Sequence, residues 1–184
     1  MPNALTVVRL FLVPVFVVVA WAGFERDDQA WQAWAALIFL AAAVTDLLDG
    51  ELARRTGKVT SFGKIADPIA DKALTGAALI VLSWFDLLPW WVTVVIIARE
   101  VGVTALRFWV IRHGVMAASR GGKVKTLLQI VAITLYLLPL APGAVIVAEA
   151  VMAGAVIVTL LTGIDYGLRA LAIRRAGAAS DGVS

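Results

Sequence analysis

The sequence has no cysteine and a single histidine, His113, in 184 residues. Disulfides, thiolate metal sites and cysteine nucleophiles are excluded, and so is any multi-histidine metal centre. Charge is also scarce: Asp, Glu, Lys and Arg make up 16% of the chain, against roughly 25% in ordinary globular proteins. The net charge of +3 is spread between apolar runs rather than gathered in a solvated patch, which argues against nucleic acid as a partner. What is abundant is apolar side chain, at 61% of residues, with a mean hydropathy of +0.92. A water-soluble domain of this size has too much surface for its volume to bury that much apolar area. Lipid has to cover the rest.

A membrane-spanning helix needs about 20 mostly apolar residues. Six candidate spans follow: Leu5–Phe24, Gln32–Leu52, Pro68–Phe85, Pro89–His113, Lys125–Leu140 and Ala144–Arg169. A β-barrel is excluded because runs such as Phe16–Trp21 and Leu79–Leu82 do not alternate polar with apolar residues. The expected fold is an all-α integral membrane protein, one six-helix domain over residues 1–175 with a flexible tail at 176–184. A second reading of the first span takes Leu10–Ala20 as the core of a cleaved signal peptide. Its length favours a span, and the positive charge before that core is reduced to Arg9 and the amino terminus.

Basic residues set the orientation. Arg54, Arg55, Lys58 and Lys64 lie between spans two and three; Arg112, Arg120 and Lys123 between four and five; Arg174 and Arg175 after span six. The opposite loops hold Arg26 among Glu25, Asp27, Asp28, Asp86 and Glu149. Both termini are therefore expected in the cytoplasm. Trp21, Trp31, Trp34, Trp84, Trp90 and Trp91 fall near the expected outer ends, where an indole ring favours the headgroup level.

Charges inside membrane helices cost several kcal/mol each, and their presence points to function. Asp46 and Asp49 sit three apart near the inner end of span two, and Asp67 and Asp71 four apart at the start of span three. Each spacing places its pair on one helix face. Four carboxylates that close would not all stay ionised without a cation. Oxygen donors without sulfur or imidazole select Mg²⁺, Mn²⁺ or Ca²⁺, and two such ions form a clamp suited to in-line phosphoryl transfer. Helix capping is the plainer reading. It suits Asp67 before Pro68 but leaves Asp46, Asp49 and Asp71 unexplained.

The residues from Asp46-Leu47-Leu48-Asp49-Gly50-Glu51-Leu52-Ala53-Arg54, then eight more, then Gly63-x3-Asp67-x3-Asp71, resemble the signature of the CDP-alcohol phosphotransferase family. All eight fixed positions are filled over 26 residues. Further similarity lies in Pro2–Arg9, in Ala98-Arg99-Glu100 with Leu106-Arg107, and in Gly122–Thr126, where the chain resembles the branch whose acceptor is glycerol 3-phosphate. The resemblance implies the family fold and a phosphatidyl transfer from CDP-diacylglycerol to sn-glycerol 3-phosphate, with release of CMP. It also implies two divalent cations, Mg²⁺ or Mn²⁺, a homodimer, and a multi-pass place in the cell membrane with the site facing the cytoplasm. On the same basis Asp46, Asp49, Asp67 and Asp71 are metal ligands, with Asp71 also the general base. Gly50, Ala53, Arg54 and Gly63 line the CDP site.

Two anionic substrates call for further cations. Arg99 and Arg107 lie about two turns apart on span four, and Lys123 and Lys125 open span five. These four are the candidates for the acceptor phosphate, since arginine offers a fork and lysine a point charge. Arg99 has a second reading, pairing with Glu100 or an aspartate; Lys123 and Lys125 have one as positive-inside anchors. Arg9 either reaches the site or snorkels to the interface, and His113 reads as interfacial. Asp165 is placed to pair with Arg169 at i+4. Alternatives to the transfer are another acceptor (phosphatidylglycerol or inositol phosphate), a divalent-cation transporter, and a non-catalytic scaffold.

Overall fold

The computed structural model describes the backbone of residues 2–56, 61–110 and 120–181, and the side chains of Val8, 10–45, 72–106, Trp109 and 121–174. The described backbone forms six α-helices and no strand: α1 (Pro2–Glu25), α2 (Gln29–Thr56), α3 (Ser61–Trp84), α4 (Trp90–Val110), α5 (Arg120–Leu137) and α6 (Pro142–Asp181).

Local chemistry explains the breaks between them. Asp28 caps α2, its Oδ1 accepting from the backbone N–H of Ala30 at 2.9 Å and of Trp31 at 3.4 Å. Asp27 before it takes a left-handed φ of 49°, which lets α1 reverse into α2 within three residues. Gly23 makes the hairpin tight: a Cβ there would stand 2.8 Å from the Gln32 backbone nitrogen. Asp86 reverses α3 into α4 with a φ of 57°. Pro142 opens α6, where a missing N–H costs nothing because the first turn has no internal acceptor for it.

α3 is the hub, packing against α1, α2, α4 and α5, while α6 lies against α4 and α5. The core is built at helix spacing. Among the described residues of α2 the buried ones are Gln32, Ala35, Ala36, Phe39, Ala42 and Ala43, one stripe at three- and four-residue steps. Phe16 of α1 meets Phe39 with ring centroids 5.8 Å apart. Ala20, Ala78 and Ala132 are fully buried on neighbouring helices, and small side chains there let backbones approach. The outer faces are apolar as well, with Phe11, Val18, Ile146, Leu161, Ile164 and Leu168 all exposed.

Among the described residues one helix segment is long and apolar enough to cross a membrane, Pro142–Arg174; Leu10–Glu25, Gln29–Thr45 and Lys72–Trp84 are shorter apolar stretches. Trp21 and Trp84 lie 5.6 Å apart, which joins the end of α1 to the end of α3. All six tryptophans expected at the outer ends are exposed, and by connectivity they gather at that end of the bundle. Trp109, near the end of α4, sits instead under the Arg174 guanidinium, 4.3 Å from its ring centroid.

Two boundaries differ from the sequence reading. α3 begins at Ser61, so Asp67 and Pro68 lie inside the helix and do not form its cap and first turn. α6 runs on to Asp181, beyond Arg169 where the sixth span was expected to end. Hydropathy marks only the apolar stretch, whereas helix propensity carries a helix past it.

Candidate active site

The eight signature positions divide between two packed helices. Asp46, Asp49, Gly50, Ala53 and Arg54 lie on the last three turns of α2, and Gly63, Asp67 and Asp71 on the first three turns of α3. The start of α2 meets the end of α1 at Gly23, and the end of α1 meets the end of α3 at Trp84. The two helices therefore run antiparallel, with both aspartate pairs toward the end opposite the tryptophan cluster. The side chains of these eight residues, like those of Arg9 and Arg107, lie outside the described residues, as does His113. Among the described residues no group of three or more His, Cys, Asp or Glu side chains is arranged to hold a metal.

One residue beyond Asp71 a second feature begins. Lys72 on α3 reaches across to Glu100 on α4, Nζ to Oε2 at 3.3 Å. Arg99 donates to Oε1 of the same carboxylate from Nη1 at 3.1 Å, and the Lys125 ammonium, from α5, donates to Oε1 as well. The second arm of Arg99, Nη2, donates to Thr162 Oγ1 on α6 at 2.9 Å. The guanidinium carbon lies 5.8 Å from the centroid of the Tyr166 ring. Four helices thus meet at one carboxylate and one guanidinium.

Burial is deep at this point. Side-chain exposure is 28% for Lys72, 16% for Glu100, 10% for Arg99 and 6% for Lys125. Gly163 leaves room for the arginine stem, because a Cβ there would lie 3.1 Å from Arg99 Cγ. Just beyond, Gln129 donates to Thr159 at 3.0 Å and ties α5 to α6. Of the polar side-chain atoms in this cluster, Arg99 Nε is buried with no hydrogen-bond partner.

Of the four cations named from the sequence for the acceptor phosphate, Arg99 and Lys125 come together on Glu100, while Lys123 is exposed on the first turn of α5. The pairing of Arg99 with Glu100 is present, and so is that of Arg169 with Asp165, Nε to Oδ2 at 3.0 Å. The sequence reading missed Lys72 and the role of Glu100 as common acceptor. The available signal was a lysine and a glutamate placed well inside apolar helices.

Residues 1–161 match the CDP-alcohol phosphatidyltransferase family. The chain belongs to that family. It is 52% identical over 170 residues to a Mycobacterium tuberculosis H37Rv protein named probable phosphatidylglycerophosphate synthase, covering 92% of this chain and 80% of that protein. It is 39% identical over 178 residues to the Bacillus subtilis protein named CDP-diacylglycerol–glycerol-3-phosphate 3-phosphatidyltransferase, with 90% and 92% covered. The Escherichia coli K12 protein of the same name is 43% identical over 138 residues, with 72% and 73% covered. The family match spans the signature helices and the Glu100 cluster on α3 to α5, together with Thr159 of α6.

Proposed function

We propose that this CDP-alcohol phosphatidyltransferase is a CDP-diacylglycerol–glycerol-3-phosphate 3-phosphatidyltransferase that makes phosphatidylglycerophosphate and CMP. The observation that carries the reading is the complete eight-residue signature on the paired ends of α2 and α3. The names of three relatives at 39–52% identity point the same way.

In this reading the exposed apolar faces of the helices meet lipid and all six helices span the bilayer, with both termini in the cytoplasm. The diacyl tails of the donor then enter from the membrane and the water-soluble acceptor from the cytoplasm. The active unit is a homodimer in the cell membrane.

Asp46, Asp49, Asp67 and Asp71 hold two divalent ions, Mg²⁺ or Mn²⁺, a fit that rests on four oxygen donors with no sulfur or imidazole among them. When bound, such ions neutralise the pyrophosphate and stabilise charge on the attacking and leaving oxygens. Gly50, Ala53 and Gly63 admit the nucleotide, where a larger side chain would obstruct it. Arg54 pairs with its phosphate oxygens. Asp71 takes the proton from the acceptor hydroxyl. The hydroxyl oxygen then bonds to the phosphorus bearing diacylglycerol as the pyrophosphate P–O bond breaks, and CMP departs with the electron pair. Arg99, Arg107, Lys123 and Lys125 attract and hold the acceptor phosphate, with Arg99 and Lys125 already gathered at one buried point.

The test is CMP release from CDP-diacylglycerol by purified protein in Mg²⁺ or Mn²⁺, with and without glycerol 3-phosphate. Release that requires the acceptor supports the reading, and release indifferent to it contradicts the reading.

A further inference from the structure

We infer that Glu100 is a positioning residue for the acceptor phosphate: its carboxylate gathers Lys72, Arg99 and Lys125 so that their remaining donors converge on one anion. The inference rests on the transfer to glycerol 3-phosphate proposed above.

The charges do not balance as they stand. Lys72, Arg99 and Lys125 surround the single carboxylate of Glu100. The three cations and one carboxylate of the described cluster therefore carry two positive charges in excess among themselves. Buried charge of one sign calls for a counter-ion. A phosphomonoester brings about −1.5 to −2 at neutral pH, which matches the excess.

The donors are also only partly used. Each ammonium has three hydrogens and a guanidinium five. Lys72 spends one on Oε2, and Lys125 one on Oε1. Arg99 uses Nη1 on Glu100 and Nη2 on Thr162, while its Nε is buried without a partner. An unpartnered donor on a side chain nine-tenths buried indicates that a further acceptor belongs there.

Three cations this close repel one another, so they stay within reach of a common ligand only if an anion sits between them. Glu100 supplies it from the protein. It works through the cations and makes no contact with substrate of its own. Because Lys72 follows Asp71 directly, the same carboxylate ties the α3 turn that carries the proposed base to the cations of α4 and α5. Acceptor binding and alignment of the base then depend on one side chain.

Full-length enzyme decides the matter through separate KM values for the two substrates, kcat, and thermal unfolding. Glu100→Gln is expected to raise KM for glycerol 3-phosphate roughly tenfold or more, the scale of losing aligned charge-assisted donors. KM for CDP-diacylglycerol stays unchanged. Glu100→Asp keeps the charge and recovers most of the loss. Should Glu100→Gln not fold, Lys72→Met gives the same reading from the least buried member of the cluster. A KM for glycerol 3-phosphate that is unchanged or lowered overturns the inference, as does a parallel rise in both KM values. A parent enzyme that transfers nothing to glycerol 3-phosphate overturns the underlying reading as well, so the two failures are told apart.

Discussion

Gly163 on α6 and Arg99 on α4 are fitted to each other: a Cβ on the glycine would stand 3.1 Å from Arg99 Cγ. The absent side chain leaves room for the arginine stem, whose guanidinium meets both Glu100 and Thr162. Gly163→Ala is expected to push the stem by a few tenths of an ångström, with a small rise in KM for glycerol 3-phosphate. Gly163→Leu overfills the space, at about 1–3 kcal/mol of stability, and raises that KM strongly. Acceptor titrations together with thermal unfolding check both.

Gly23 supports stability without touching the chemistry. A side chain there collides with the Gln32 backbone at 2.8 Å, and backbone has little freedom to yield. Gly23→Ala should lower stability by about 1–3 kcal/mol, as overpacking does, and lower the unfolding temperature accordingly. KM values for both substrates should stay at those of the parent, because the hairpin lies at the tryptophan end of the bundle.

Asp71→Asn keeps the shape of the side chain and removes the base. A loss of about 10²–10⁴ in kcat follows if the proton is taken there, with KM for the acceptor little changed. Unaltered kcat in this variant eliminates Asp71 as the base.

Chelation addresses the metal clamp. If the four signature aspartates hold the ions as proposed, EDTA treatment abolishes CMP release and added Mg²⁺ or Mn²⁺ restores it, since oxygen donors of that kind prefer such ions. Full activity in EDTA contradicts the assignment of Asp46, Asp49, Asp67 and Asp71 as ligands.

Much of the fold was legible because apolar runs report directly on helices: each of the six expected spans overlaps one observed helix. The ends were less legible. Lys64 within residues 61–66, and Arg174 and Arg175 after Arg169, interrupt the apolar runs, yet the chain continues as α3 and α6 through them. Local pairing was legible too, since Asp165 and Arg169 are brought together by the helix repeat alone. The Glu100 cluster was legible only in its parts. Arg99 stood out as a charge within an apolar run and Lys125 as one at the opening of the next, but their meeting with Lys72 depends on which helices pack together. α3 against both α4 and α5, with α6 against α4, is a tertiary arrangement that no spacing along the chain encodes.

The most direct measurement is an acceptor panel: purified protein, CDP-diacylglycerol and Mg²⁺, offered glycerol 3-phosphate, phosphatidylglycerol or inositol phosphate in turn, with the lipid product identified by mass. The account predicts phosphatidylglycerophosphate with stoichiometric CMP from glycerol 3-phosphate, and little product from the other two. Preferential formation of cardiolipin or of phosphatidylinositol phosphate would contradict it.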